Sequence, residues 1–360
     1  MIRRRYILII LSCAAVLLAG TLAMSLRRAP AARYKVTFLP PLGGVRTSPH
    51  TINDRGQVVG VAETPTGASY IFLWDKEQGL RNLGRSDDPP HAGRLTLNNA
   101  GQIAGTVADP NGNLRAFLWD LRDPNSGKQL LGTLGGLRSV ATSLNDKGQI
   151  VGYAEIPARH RHAFLWDAAG GMRDLGTLGG PQSFALGVND AGQVVGYAET
   201  ADRRSHAVLW DPAEGTIDLG DAGVGPFECD INNRGLVVRR LGTVTGKTYF
   251  RTWTKAAGER ELRFIAADTG VPCGLNDADQ FLVQARPTTT KMFGRVLRRR
   301  FQSYLCDPNG RSMRLQELMP VRDIRHFAVV EMNNKGWIVG MLRAGDSTRM
   351  DAVLLEPVGD

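Results

Sequence analysis

A chain of 360 residues is long enough for one large domain or two ordinary ones. Its 42% hydrophobic and 22% charged content excludes wholesale disorder, and 42 glycines, against a usual ~7%, predict many tight turns between short strands. A net charge of +9 permits an acidic partner without naming one.

The first predicted element spans residues 1–28. Arg3, Arg4 and Arg5 precede an uncharged run from Tyr6 to Met24, and Arg27, Arg28 and Arg33 follow it. A basic start followed by about 19 apolar residues fits a secretory signal peptide and a signal-anchor helix alike. Thr21-Leu22-Ala23 is a mediocre cleavage site, and arginines on both sides leave the orientation open. Cys13 interrupts the run rather than following it, which argues against lipidation. The expectation is an exported chain, either secreted or anchored facing the periplasm or exterior, with residues 29–33 as a short linker.

Residues 34–360 are dominated by an internal repeat. Asn-Asp-x-Gly-Gln followed by two apolar residues and Gly starts at Asn53, Asn145 and Asn189, and as Asn-Asn-Ala-Gly-Gln at Asn98. Weaker copies start at Asn232, Asn276 and Asn333, making seven units spaced 45, 47, 44, 43, 44 and 57 residues apart. Trp74, Trp119, Trp166, Trp210 and Trp253 each follow their asparagine by 21 residues. A third phrase, Asp-Leu-Gly-Thr-Leu-Gly-Gly, runs from Asp174 to Gly180 and is echoed at Leu131 to Gly136.

Each unit reads as four strands. In the fourth these are Ser183–Val188, Gln193–Ala198, His206–Asp211 and Thr216–Leu219, with a turn at Asn189–Gly192. Four strands in about 45 residues is the size of a propeller blade, so the fold class is all-β, a seven-bladed β-propeller. The segment from Tyr34 resembles a fourth strand, and the chain ends after a third, so the N-terminal strand is expected to complete the last blade and close the ring. The tryptophans are expected to pack between blades. Asn-Asp-x-Gly lacks the alternating carboxylates of a calcium loop and is read as a turn.

His162-Ala163-Phe164-Leu165-Trp166-Asp167, with Asp174–Gly180 and Asn189-Asp190-Ala191-Gly192-Gln193, resembles the HAF repeat of bacterial extracellular proteins. The resemblance covers roughly residues 34 to 360, close in units three and four and faint in five and six. It implies an exported, propeller-like protein and supplies no catalytic residues. The sorting tail found in many such proteins does not occur in this chain.

Chemistry in a propeller belongs to the innermost strands that line its channel. The residue before each turn asparagine is apolar and should pack between blades. Two before it stand Thr51, Thr96, Ser143, Gly187, Asp230, Gly274 and Glu331, which by strand alternation face the channel. Asp230 and Glu331 are therefore channel carboxylates, the residue type glycosidic chemistry needs. Cys229, Cys273 and Cys306 lack metal-binding spacing, so no metal and no cofactor are expected. No nucleophile elbow, phosphate loop or dinucleotide fingerprint is present. The connections between second and third strands hold fifteen basic and seven acidic residues, or eight of the nine net charges, so one face should be basic. Its candidates are Arg159, Arg161, Arg203 and Arg204, with Lys291, Arg295, Arg298, Arg299 and Arg300 on a predicted hairpin in unit six. The expected function is a monomeric, non-catalytic binding or scaffold propeller. It would meet an acidic polysaccharide, lipid head groups or a protein partner, and no nucleic acid. The alternative is a carbohydrate-active lyase or hydrolase working at the channel mouth.

Overall fold

Each Asn-Asp-x-Gly turn joins an innermost strand to a second, and two further strands follow outward. In the fourth blade these are Gly179–Val188, Val194–Thr200, Ser205–Asp211 and Gly215–Asp221. The computed structural model describes residues 33–359, except 87–93, 124–126, 224–227, 244–247, 263–268, 287–289, 293–294, 298–301, 346 and 348. Seven four-stranded antiparallel sheets form the ring, and a small hairpin, Thr290–Met292 with Arg295–Leu297, extends the sixth blade. The expected N-terminal helix lies outside the described residues. Among these, no helix is long and apolar enough to cross a membrane.

The ring closes as the sequence predicts. Tyr34–Phe38 is the outermost strand of the seventh blade, pairing Tyr34 with Pro357 and Phe38 with Val353. Pro357 stands beside Gly336 of that blade's Asn-Asp turn, so the chain enters the disc on the face carrying these turns. We call this the turn face. The connections between second and third strands, and between blades, lie on the opposite face.

The blades are held together at two depths. Trp74 packs with Val339 and Leu354 of the seventh blade, and Trp166 with Ala104 and Leu118 of the second, as inter-blade packing requires. Nearer the axis, the turn asparagines link blade to blade. The Nδ2 groups of Asn53, Asn98, Asn145, Asn189 and Asn232 each donate to the carbonyl of the next blade's asparagine at 2.8–3.0 Å, and Asn333 closes back onto Asn53 at 2.8 Å. All seven asparagines are buried. Asn276 is the exception, its Nδ2 reaching Met332 Sδ at 3.8 Å, where the longest spacing separates two units.

The glycine of each Val-Val-Gly phrase has a separate cause. The innermost strand bulges opposite it, with register shifts at Pro49/Thr51, Ala141/Ser143, Ala185/Gly187 and Val329/Glu331. A Cβ on Gly60, Gly152, Gly196 or Gly340 would strike the facing carbonyl of Ser48, Val140, Phe184 or Ala328. In the fifth blade Arg239 takes this position, buried against Glu259 and the carbonyls of Leu219 and Asp221. The innermost strand there shortens to Cys229–Ile231 and pairs without a bulge.

Candidate functional site

The residue after each turn asparagine builds the turn-face mouth of the channel. Asp54, Asn99, Asp146, Asp190, Asn233, Asp277 and Asn334 each donate a backbone N–H to the next side-chain Oδ1, at 2.7–2.9 Å around the full ring. Asn99 Nδ2 bridges Asp54 and Asp146 at 3.0 and 2.7 Å. Four of the seven members are carboxylates, so this mouth is negative.

Within lies a cavity of about 600 Å³ that reaches the innermost strands of all seven blades. Its described charged lining is Asp54, Asp146, Asp190, Glu228, Asp230, Asp277 and Glu331, against Arg94 alone. That is a formal charge of −6 in a protein of +9. Glu228 is partly offset by Arg240 at 3.4 Å.

Asp230 and Glu331 both face this cavity, as strand alternation predicts, and each leans over a glycine of the neighbouring blade. A Cβ on Gly274, which has φ +78°, would collide with Glu331 Oε1, and one on Gly187 would press on Asp230 Oδ1. Asp230 Oδ1 accepts the Ile231 N–H at 2.9 Å, and Glu331 Oε1 accepts the Met332 N–H at 3.1 Å. Burial, then the charge of Glu331, pushes the Asp230 carboxyl up to about 7. Burial raises Glu331 as well, opposed by Arg94, whose Nη2 stands 3.5 Å from Oε2. The same guanidinium donates to the carbonyls of His50 and of Val330, the latter at 3.1 Å.

Alternation alone misses the residues three before the asparagine. The bulge lets His50, Thr142 and Cys273 line the cavity too, and Cys229 of the unbulged fifth blade joins them. The glycine of Val-Val-Gly was the available signal. His50 accepts the Leu95 N–H on Nδ1 at 3.1 Å, and burial lowers its pKa to about 4, with Arg94 adding to the shift. Burial raises the Cys229 thiol, and pushes Cys273 up to about 12. Cys229, Cys273 and Cys306 are free, and among the described residues no cluster of metal-ligating side chains occurs.

The basic candidates divide. Arg204 pairs with Asp202 at 3.1 Å, and Arg115 with Asp109 at 3.0 Å. Arg240 lies in the strand Val237–Gly242 and pairs inward with Glu228. Arg159 and Arg203 are exposed at equivalent places in the third and fourth blades, both with φ 61°. Blades one and two put Gly67 and Gly112 there, each with φ 79°. Arg161 lies over the Tyr153 ring at 5.8 Å. Lys291 and Arg295 fall on the sixth-blade hairpin, as expected. Arg298, Arg299 and Arg300 lie outside the described residues.

Comparison with known proteins bears on the fold. The sequence matches no family model and no curated protein. A puromycin hydrolase structure is similar over 92% of this chain and 56% of its own, with TM-score 0.59 and 14% identity. A puromycin-hydrolyzing peptidase of Mycobacterium tuberculosis is similar over 92% and 53%, with TM-score 0.55 and 13% identity. Virginiamycin B lyase from Staphylococcus aureus is similar over 90% of this chain and 100% of its own, with TM-score 0.51 and 10% identity. The chain spans about half the length of the two hydrolases.

Proposed function

We propose that this chain is an exported, non-catalytic binding propeller of the HAF-repeat type that takes an acidic polymer on the face opposite its Asn-Asp turns. The observation that carries the reading is the pair Arg159 and Arg203. An L-residue in left-handed geometry costs on the order of 1 kcal/mol, and glycine removes that cost at the same turn in blades one and two. Arginines held there against strain point two adjacent charges outward, and Arg161 adds a third.

The polymer is favoured over the lipid surface by where the chain enters. Only residues 25–33 separate the apolar run from Tyr34 on the turn face. Fully extended they reach about 30 Å. Because the chain enters on the turn face, a membrane segment at 6–24 would bring that face nearest the bilayer, and turning the basic face toward it would need most of that reach to cross a disc about 20 Å thick. The basic face then looks away from it.

The test is retention of the purified full-length protein on immobilised heparin across a salt gradient, with Arg159→Gly and Arg203→Gly combined. Earlier elution of a variant that is equally or up to about 1 kcal/mol more stable supports the reading. Unchanged elution, or tighter binding to anionic vesicles than to heparin, overturns it.

A second reading, a carbohydrate-active enzyme, draws support from the Asp230 and Glu331 carboxyls, both raised and sharing one cavity. Turnover within a polysaccharide panel, lost in the combined Asp230→Ala and Glu331→Ala variant, would favour it.

A further inference from the structure

We propose that the acidic polymer is a glycan of uronic acids, one of whose sugar rings seats against Tyr153 and Phe184 with its carboxylate on Arg161. This rests on the basic face proposed above, and adds a subsite there that reads the polymer's backbone as well as its charge. Three features meet at the junction of the third and fourth blades.

The first is an aromatic pair beside the basic connections. Tyr153 lies toward the connection end of the third blade's second strand, Ile150–Glu155. Phe184 stands at the same height on the fourth blade's innermost strand, paired with Tyr197, the equivalent of Tyr153. The two rings meet edge to face with centroids 5.1 Å apart, and both are half-buried rather than closed off. Tyr153 also walls the cavity, with Leu186, so the pair stands where the channel approaches the arginines. In such a pair the ring that offers its edge keeps both faces clear of its partner. The C–H groups of a pyranose pack on an aromatic face, because their partial positive charge is attracted by its quadrupole.

The second is a hydroxyl without a structural task. Tyr197 is buried, and its hydroxyl donates to the Glu228 carbonyl at 3.1 Å. The Tyr153 hydroxyl has no such partner among the described residues, although it sits in the cavity wall. Phenylalanine would pack on Phe184 equally well, so packing does not account for the oxygen.

The third is an uncommitted guanidinium. Arg161 Cζ stands 5.8 Å over the Tyr153 ring, and no carboxylate pairs with it among the described residues. Glu155, opposite it in register, turns Oε2 to the Leu137 N–H at 3.3 Å. A guanidinium stacked on a ring keeps its N–H fork at the edge, where a carboxylate binds in bidentate fashion. Arg159, exposed two residues away, extends the positive charge outward.

The channel carboxylates are screened from this end. Asp54, Asp146, Asp190 and Asp277 follow the turn asparagines on the opposite face, and Tyr153 lies three residues into its strand, about 10 Å from its own turn. Glu228 is paired with Arg240. A sugar with a carboxylate on its ring meets all three groups at once. Polyphosphate and polyglutamate match its charge and offer no ring to the aromatic pair.

The experiment is calorimetric titration of the full-length protein at pH 7 and low salt with tetragalacturonate and with tetraglutamate, which carry equal net charge. Tetragalacturonate should bind at least about tenfold tighter. Tyr153→Phe, which keeps the ring and removes the hydroxyl, should weaken it about fivefold and leave tetraglutamate unchanged. Arg161→Gln should weaken both. Urea midpoints equal to wild type show that the variants are folded. Equal binding of the two oligomers overturns the subsite and leaves the basic face standing, as does a Tyr153→Phe variant that binds tetragalacturonate like wild type. Absence of tetragalacturonate binding overturns it too, and heparin retention of the same protein then shows whether the basic face falls with it.

Discussion

Asn189→Ala tests whether the turn asparagines hold the ring together. Asn189 Nδ2 donates to Asn232 O at 3.0 Å and to Gln193 Oε1 at 2.8 Å. Its Oδ1 accepts the N–H groups of Ala191 and Gln193 at 3.1 and 3.0 Å. Ala191 is exposed, so water replaces that bond, and three remain to be lost at about 1 kcal/mol each. The loss of about 3 kcal/mol should lower the urea midpoint by about 1 M, given a slope near 3 kcal/mol per M for a chain of this size. Asn276→Ala is the internal control. Its Nδ2 reaches only a thioether in the next blade, so the loss should be smaller by about one hydrogen bond, near 1 kcal/mol. A midpoint shift under about 0.3 M for Asn189→Ala refutes the latch. Equal losses at the two positions refute its inter-blade share.

Two further outcomes follow from the same geometry. Gly196→Ala must move the innermost strand, because its Cβ would strike Phe184 O and the Ala185 backbone; a loss of about 2–4 kcal/mol is expected by calorimetry. Gly170→Ala, which meets only the ends of the Asp167 and Arg173 side chains at 3.3 Å or more, should cost under about 1 kcal/mol, and a smaller loss at Gly196 than at Gly170 would contradict the account. A carboxyl raised from 3.8 to about 7 holds its proton in the folded state over a range where the unfolded chain has lost it. Asp230 therefore contributes a loss of stability as pH rises from about 4 to 7, opposed by His50, whose lowered pKa contributes a gain from about 4 to 6.5. The readout is the difference between the two proteins: in denaturant titrations Asp230→Asn should gain stability relative to wild type as pH rises through this window, and a difference that does not change with pH would count against the buried carboxyl.

The repeat made the architecture legible because its landmarks sit at sites of steric necessity. Strand alternation alone placed Asp230 and Glu331 on the channel wall, and the Tyr34 segment matched the strand missing from the last blade. The inter-blade role of the asparagines was not legible. A local motif reports its own turn, whereas the acceptor of Asn53 lies 45 residues away in the next blade. The charge on the connection face was legible only as a sum, since Asp202 and Asp109 neutralise particular arginines and Arg240 turns inward. The bulge escaped because alternation assumes an unbroken register, and Val-Val-Gly carried its trace in the partner strand.

The negative channel follows from the same repeat and explains how a basic protein encloses an acidic core. A turn that needs Asp or Asn after its first asparagine places an oxygen-bearing side chain on the axis in every blade, where it caps the next backbone N–H. Either residue completes that hydrogen-bonded ring, so the number of carboxylates is free to vary without disturbing the fold. Four of seven positions carry a charge. The connections on the other face face no such ring and accept arginine at the cost of a strained backbone. Charge of one sign is therefore set by the innermost turns and charge of the other by the connections, with the body of the disc between them. The charge of each end can therefore vary without altering that of the other.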